Sequence, residues 1–121
     1  MVASHTGLRA LVDSPRNLAD DQVRGIAATG GLVGIGFWDS VVGGRTATHV
    51  ARTILHAVEI AGVRHVALGS DWDGSVGVPF DAANVVRLTE ALLTAGMAED
   101  DIRLVMGENQ LRVLGDALPA A

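Results

Sequence analysis

The run from Leu32 to Phe37, Leu-Val-Gly-Ile-Gly-Phe, constrains the fold of this chain more than any other feature. Successive side chains of a strand point to opposite faces, and this run carries no polar residue on either face. It therefore predicts a strand covered on both sides, which is typical of a parallel sheet with helices packed against it. Amphipathic stretches on either side, Ala19 to Thr29 and Thr46 or Thr48 to Ala61, supply such helices.

Two further strands are predicted, with the helices between them. Met1 to Ser4 has the composition of the end of a strand, and His65 to Gly69 is short and β-favouring. Strands that alternate with helices indicate βαβ units and parallel pairing. Three strands leave two sheet edges unpaired, and long apolar edges are a liability for a free-standing protein. We therefore predict an α/β fold that is part of a larger TIM-type (β/α)8 barrel, with residues 1–118 forming this portion and residues 119–121 a tail.

The last third of the chain is predicted to be helical. One helix is expected from about residue 81 to residue 95, and a second from Glu99 to Val105. Gly107 is expected to end that second helix, and Asn109 to cap a last turn from Leu111 to Leu118.

Composition excludes several classes of partner. The 121 residues carry a formal net charge of -5, so a nucleic-acid partner is not expected. No cysteine is present, which excludes disulfides and thiolate metal sites. No apolar run approaches the roughly 18 residues of a membrane span, and the first residues lack the pattern of a signal peptide. A cytoplasmic location is the resulting expectation.

Two carboxylates follow the third predicted strand, in Ala67-Leu-Gly-Ser-Asp-Trp-Asp-Gly74. Burial of apolar surface does not require Asp71 or Asp73 at this point. In an α/β barrel, polar residues at the carboxyl ends of strands form the active site. The alternative is that both residues only close a turn, because Asp followed by Gly is common in turns.

His5 is placed at the carboxyl end of the first predicted strand, so it shares one barrel face with Asp71. Neutral imidazole and carboxylate are suitable ligands for zinc or a similar divalent ion. A solvated histidine near the terminus is the alternative, because zinc usually takes three or four protein ligands. His49, His56 and His65 lack metal-binding spacing and are interpreted as structural or solvated.

Arg16 lies in the loop after His5. A guanidinium on such a loop can bind a substrate carboxylate through two parallel hydrogen bonds. A solvated arginine is the alternative. The neighbouring Asn17 is interpreted as a residue at the entry of the first helix.

Taken together, several motifs resemble the membrane (renal) dipeptidase family of zinc peptidases, in order and in spacing. They are Ser4-His5-Thr6, Pro15-Arg16-Asn17-Leu18 with Asp21-Gln22, Thr29 to Ile35, Gly69 to Gly74, and Met106-Gly-Glu-Asn-Gln-Leu-Arg-Val-Leu114. Each motif alone is weakly specific, whereas the combination covers nearly the whole chain.

The resemblance implies a (β/α)8 barrel with two zinc ions, bridged by a carboxylate and a water or hydroxide, that hydrolyses dipeptides. It implies that His5 is a ligand of the second zinc ion and that Arg16 grips the terminal carboxylate of the substrate. It also implies that Asp71 hydrogen-bonds the bridging water and passes its proton to the leaving amine. The ions in such enzymes acidify water and polarise the carbonyl group.

The chain departs from the family pattern in its ligand set. No His-x-Asp pair occurs in these 121 residues, and the bridging Glu and the other second-site His have no counterpart. We therefore expect a carboxyl-terminal portion of a dipeptidase that does not hold the binuclear centre and is inactive alone. Two alternatives stay open: a non-catalytic subunit that completes a barrel with another chain or by self-association, and another hydrolase barrel of the amidohydrolase type.

Overall fold

Three parallel strands form the centre of the computed structural model, which describes residues 1–119. They are β1 (Val2–Thr6), β2 (Leu32–Ile35) and β3 (Val66–Leu68), and they pair in the order β1-β2-β3. All four residues of β2 are buried, as its two apolar faces predict. The expectation of an α/β fold with three parallel strands alternating with helices is confirmed.

Within residues 1–119, six helices accompany this sheet: α1 (Asp20–Ala28), α2 (Asp39–Val42), α3 (Ala47–Ala61), α4 (Val86–Thr94), α5 (Glu99–Arg103) and α6 (Asn109–Ala117). Two 3-10 turns, Val63–His65 and Ala82–Asn84, and a kinked segment, Leu104–Glu108, join them to their neighbours. From the sequence, residues 38–46 are expected to form a loop between the second strand and the following helix. This expectation is wrong, because α2 forms there. Val41 and Val42 are fully buried, and their burial holds this short segment against the core.

The two helices beside β2 follow the sequence pattern closely. In α1, Asp20 and Asp21 occupy the positive end of the helix dipole, while Val23 and Ile26 are buried. In α3, one face is buried, and it consists of Val50, Ala51, Thr53, Ile54 and Ala57. These stripes form the core against β2.

The role predicted for Asn109 is wrong. The helical run from α5 is broken at Gly107, whose backbone is not helical, as expected from the sequence. Helix α6 then begins with Asn109 itself, which therefore does not cap it. Its buried side-chain amide instead donates hydrogen bonds to the backbone oxygens of Val63 at 2.7 Å and Val66 at 2.8 Å. Gln110 donates in the same way to the oxygen of Leu68 at 3.1 Å. The reason is tertiary: α6 lies along β3, and its amide groups satisfy carbonyls that no strand pairs with.

The two sheet edges are therefore unlike. Asn109 and Gln110 cover the outer carbonyls of β3, whereas Met1 and Val2 at the start of β1 are exposed by 74% and 54%. Each helix within residues 1–119 is too short or too polar to cross a bilayer. Of the predicted tail, Ala120 and Ala121 lie outside the described residues.

Candidate active site

The carboxyl ends of β1 and β3 lie against each other. A Cβ atom on Gly69 would collide with the backbone oxygen of Ser4 and come within 3.0 Å of the Cβ atom of His5. Only a residue without a side chain permits this approach of one backbone to another. The loop that carries Asp71 therefore leaves β3 from a point in contact with His5.

His5 is half-buried at the end of β1, and one of its ring nitrogens has a fixed partner. Nδ1 lies 2.8 Å from the hydroxyl oxygen of Ser4. In the tautomer with the proton on Nδ1, this group donates to Ser4 and the lone pair of Nε2 is free to bind an electrophile. The geometry is compatible with a ligand role for His5, and that role stays a prediction.

Trp38 brings His5 and Arg16 together. The ring centroids of His5 and Trp38 are 5.9 Å apart, and Cζ of Arg16 lies 5.2 Å from the centre of the same indole. Trp38 itself is only 6% exposed, so it is a fixed surface between the two side chains. Sequence reasoning missed this residue. Its signal was a tryptophan directly after an apolar strand, in a chain with only 3% aromatic residues.

The backbone next to Arg16 is held by Asn17, which is 1% exposed. Its side-chain oxygen accepts a hydrogen bond from the Gly7 N–H at 3.1 Å, and its amide donates to the oxygens of Val12 at 3.0 Å and Val41 at 3.1 Å. Asn17 thus links the loop to α2 through buried hydrogen bonds. Its interpretation as a helix-entry residue did not predict this link.

The guanidinium of Arg16 is exposed above this fixed backbone. Within residues 1–119, no hydrogen bond or ion pair engages it, and its contact is the face of Trp38. A guanidinium stacked on an indole keeps its edge free to donate two parallel hydrogen bonds to a carboxylate. This geometry suits the predicted grip on a carboxylate, which stays a prediction.

Asp71 has a left-handed backbone with φ of 58°. Its backbone oxygen accepts a hydrogen bond from the Gly74 N–H at 2.9 Å, so Asp71 does begin a turn. The carboxylate folds back over that turn, because a Cβ atom on Gly74 would lie only 2.6 Å from Oδ2 of Asp71. A non-glycine residue with positive φ costs about 1–3 kcal/mol, and such residues cluster at functional sites. Asp71 therefore begins a turn, and this is compatible with its being a residue of the active site.

An aromatic cluster holds the loop after β3. The Trp72 ring packs edge-on against Phe37 at 5.8 Å, and Phe37 contacts Phe80 at 5.0 Å. The indole N–H of Trp72 donates to the oxygen of Phe80 at 2.9 Å and so joins the two ends of the loop. Trp72 is 41% exposed, so the outer part of its ring meets solvent.

The same loop ends at Asp81, whose carboxylate caps the turn Ala82–Asn84. It accepts hydrogen bonds from the backbone N–H of Asn84 at 3.0 Å and from its side-chain amide at 2.8 Å. These hydrogen bonds favour the charged form and hold the pKa of Asp81 below its usual value. The loop that carries Asp71 is thus fixed at its far end by a charged cap.

The residues of this face do not by themselves form a zinc site. Within residues 1–119, no group of three or more His, Asp or Glu side chains is placed to hold a metal ion. The other histidines have structural contacts: His49 is bonded to Thr46, His65 to the oxygen of Gly31, and His56 lies 3.7 Å from Asp20. A lone imidazole from His5 falls short of the three or four protein ligands that zinc takes.

Comparison with known proteins gives these residues a family context. A family model for membrane dipeptidases, peptidase family M19, matches residues 1–120. The chain belongs to the membrane dipeptidase family. This match confirms the resemblance drawn from the motifs around His5, Arg16, Asp71 and Asn109 and implies a metal cofactor for the family fold.

Two curated relatives and one solved structure illustrate the extent of the similarity to this dipeptidase-family chain. It is 37% identical to a protein in the pqqA 5' region of Klebsiella pneumoniae, over 94% of this chain and 45% of that protein. It is 32% identical to the dipeptidase ataJ of Aspergillus terreus, over 94% of this chain and 30% of that enzyme. It superposes on a metallopeptidase from Rhodobacter sphaeroides with a TM-score of 0.87 and 31% identity, covering 97% of this chain and 36% of the other. The chain thus spans less than half the length of each of these relatives.

Proposed function

We propose that this chain forms the part of a metal-dependent dipeptidase barrel that grips the substrate carboxylate and moves the catalytic proton. The observation that carries this proposal is the shared packing of His5 and Arg16 on the buried ring of Trp38. If His5 binds the metal and Arg16 binds the substrate carboxylate, their packing on one rigid indole would fix the distance between the metal and that carboxylate.

The proposed roles follow from the chemistry of each group. Arg16 would donate two hydrogen bonds to the terminal carboxylate of the substrate. Asp71 would accept the proton of the attacking water and pass it to the nitrogen of the leaving amino acid as the C–N bond breaks. His5 would contribute one imidazole to the metal centre of the family barrel. Zinc, with two ions per site, is the metal we propose from the family resemblance and from the histidine and carboxylate chemistry of the site.

A dipeptide is the substrate class that we propose. His5 and Arg16 both pack on the indole of Trp38, at 5.9 Å and 5.2 Å from its ring, and this closeness suits a short substrate. The Rhodobacter sphaeroides metallopeptidase was crystallised with a phosphinate mimic of the dipeptide L-Ala-D-Ala. We extend dipeptide recognition to this chain on those two grounds. The cytoplasmic location expected from the sequence stays a prediction, which cell fractionation would test.

A chimera tests the function directly. The carboxyl-terminal segment of the Rhodobacter sphaeroides enzyme that superposes on this chain would be replaced by residues 1–119, and hydrolysis of L-Ala-D-Ala measured with zinc. We expect a zinc-dependent activity from the chimera and none from the 121-residue chain alone. Hydrolysis by the pure chain would contradict the assigned division of roles, and a folded, zinc-loaded chimera without activity would contradict the proposed function.

Three variants of that chimera separate the roles, and those at Arg16 and Asp71 have a matched control. Arg16→Gln should raise KM about a hundredfold with a smaller change in kcat, whereas Arg24→Gln, at an exposed arginine of α1, should change neither. Asp71→Asn should lower kcat at least a hundredfold, and Asp73→Asn should not. His5→Ala should lower the amount of bound zinc measured by atomic emission. Equal effects of a variant and its control would remove the assigned role.

A second candidate function is favoured by the exposed apolar side chains. Met1, Val2, Leu111, Leu114 and Leu118 are each exposed by more than half, on the β1 edge and on α6. Apolar surface of this kind marks an interface in other proteins. We propose as the alternative a non-catalytic subunit whose β1 edge pairs with another chain. Size-exclusion chromatography with light scattering tests it, and a stable monomer would count against it.

A further inference from the structure

A cavity of about 410 Å³ opens beside Asp71, separate from the group formed by His5, Trp38 and Arg16. Ser70 and Trp72, the two chain neighbours of Asp71, both line it. Its volume falls within the range of about 300–1,000 Å³ that is usual for small-molecule sites. The roles proposed so far make no use of this cavity.

Most of the residues that line the cavity are apolar. Six of the eight are Phe37, Leu68, Trp72, Ala82, Val85 and Met106, and the two polar ones are Ser70 and Gln110. The polar group of Trp72 is already used, because its N–H donates to the oxygen of Phe80. Among the residues that line the cavity none is charged. Such a surface suits an uncharged apolar side chain and would leave a charged one without a partner.

The order of the strands indicates which end of the substrate would lie near the cavity. Arg16 follows β1 and Asp71 follows β3, with β2 between them. A dipeptide with its terminal carboxylate on Arg16 and its amide nitrogen at Asp71 would extend from the loop after β1 toward the loop after β3, with its amino-terminal residue at the Asp71 end. The cavity lies at that end, because Ser70 and Trp72 flank Asp71 and all eight lining residues fall between Phe37 and Gln110.

We propose that this cavity binds the side chain of the amino-terminal residue of the dipeptide and makes the chain selective for large apolar residues there. The proposal rests on the proposed function, because the direction of the substrate is taken from the roles of Arg16 and Asp71. Leucine at this position would bury several more methyl and methylene groups than alanine, and each such group in an apolar pocket favours binding by tenfold or more. Because the cavity is partly open to solvent, we expect about tenfold in total.

The test is a binding titration of the whole 121-residue chain by NMR, with L-Leu-D-Ala and L-Ala-D-Ala as probes. Binding needs no catalytic turnover, so the incomplete metal site does not interfere. We expect L-Leu-D-Ala to bind about tenfold more tightly and to shift the indole N–H of Trp72 and the methyl group of Met106. The methyl group of Met97, which is buried in the core away from the cavity, should not shift. Equal affinity of the two dipeptides, or no shift at Trp72 and Met106, would overturn the proposal.

Adjacent alanines provide a matched pair of variants. Ala82 lines the cavity, and its exposed neighbour Ala83 does not. Ala82→Leu should fill the cavity and abolish the preference for L-Leu-D-Ala over L-Ala-D-Ala, and Ala83→Leu should keep the preference. The same preference in both variants would overturn the proposal, and the shifts of the unmodified chain decide the question if either variant does not fold.

Arg16→Gln distinguishes a failure of the cavity from a failure of the proposed function. If Arg16→Gln weakens both dipeptides equally while Ala82→Leu abolishes the preference for L-Leu-D-Ala, both proposals hold. If Arg16→Gln weakens binding but no preference for leucine exists, the cavity proposal fails and the function stands. If Ala82→Leu acts but Arg16→Gln does not, the cavity binds apolar groups without being part of a dipeptide site, and the proposal fails as stated.

Discussion

In the loop after β1, the buried side chain of Asn17 makes three hydrogen bonds that fix the backbone beside Arg16, whereas near Asp71 the loop after β3 is held by one indole and only its far end by the Asp81 cap. The first loop is part of the core: Leu8 within it is fully buried, and its backbone pairs with Leu18. In the second loop residues 72–75 are exposed, and Asp71 and Ser75 have positive φ.

The difference matches the different roles that we propose for Arg16 and Asp71. Binding a carboxylate needs a cation at a fixed place, and the satisfied amide of Asn17 provides that at low entropic cost. Moving a proton between water and a leaving amine needs a carboxylate that reaches both groups in turn. A loop held by a partly exposed ring leaves Asp71 that freedom, because local opening is easiest where buried contacts are few.

The largest effect should come from Asn17→Ala. This change removes three hydrogen bonds and leaves the Gly7 N–H and the oxygens of Val12 and Val41 without partners in or near the core. We expect a loss of about 3 kcal/mol in the free energy of unfolding, measured by urea denaturation. Asn84→Ala removes an exposed asparagine and should cost less than about 1 kcal/mol. Equal losses in the two variants would mean that the loop after β1 is not anchored in the core.

Trp72→Ala should have the next largest effect. It removes the contact with Phe37 and the hydrogen bond to Phe80, and because the ring is 41% exposed we expect a loss of about 2 kcal/mol. Trp72→Phe keeps the ring contact and should lose about 1 kcal/mol. Amide hydrogen exchange should rise over residues 70–80 and stay unchanged over residues 7–17. Faster exchange in both loops would show that they are one cooperative unit.

A smaller effect is expected from the left-handed backbone of Asp71. The glycine variant of this residue should be more stable than the alanine variant by about 1 kcal/mol, because alanine carries a Cβ atom into the left-handed region. At Asp73, which does not have positive φ, the order should reverse, with alanine favoured by about 0.5–1 kcal/mol. Thermal unfolding of the four variants measures both differences. The same order at both positions would remove the evidence for strain at Asp71.

The smallest effect concerns pH. The hydrogen bonds from Asn84 lower the pKa of Asp81 in the folded chain, so its stabilising contribution is complete above the ordinary value of 3.8 and is lost as pH falls through the lower folded value. Asp81→Asn retains an N-cap without titrating. Between pH 7 and pH 3, the Tm of the unaltered chain should therefore fall slightly more than that of Asp81→Asn. Parallel slopes would contradict a role for this carboxylate in holding the loop.

The sequence predicted much of this architecture because its signals are local. Periodic apolar residues determine α1 and α3, and the two apolar faces of β2 require cover on both sides. The prediction failed where long-range contacts decide the outcome. Val41 and Val42 form a helical turn because the core buries them, and Asn109 bonds to carbonyls 46 and 43 residues away.

The candidate site likewise has some features that the sequence predicts and others that only long-range contacts decide. The sequence by itself determined that a histidine, an arginine and an aspartate follow a dipeptidase pattern, because residue types and spacings are written in the chain. Only the tertiary structure decided that Trp38 joins His5 to Arg16 and that Asn17 anchors the loop through an oxygen 24 residues away. The physical reason is that a ring contact or a buried amide is satisfied by whatever the fold brings near it, and no local pattern in the sequence records that partner.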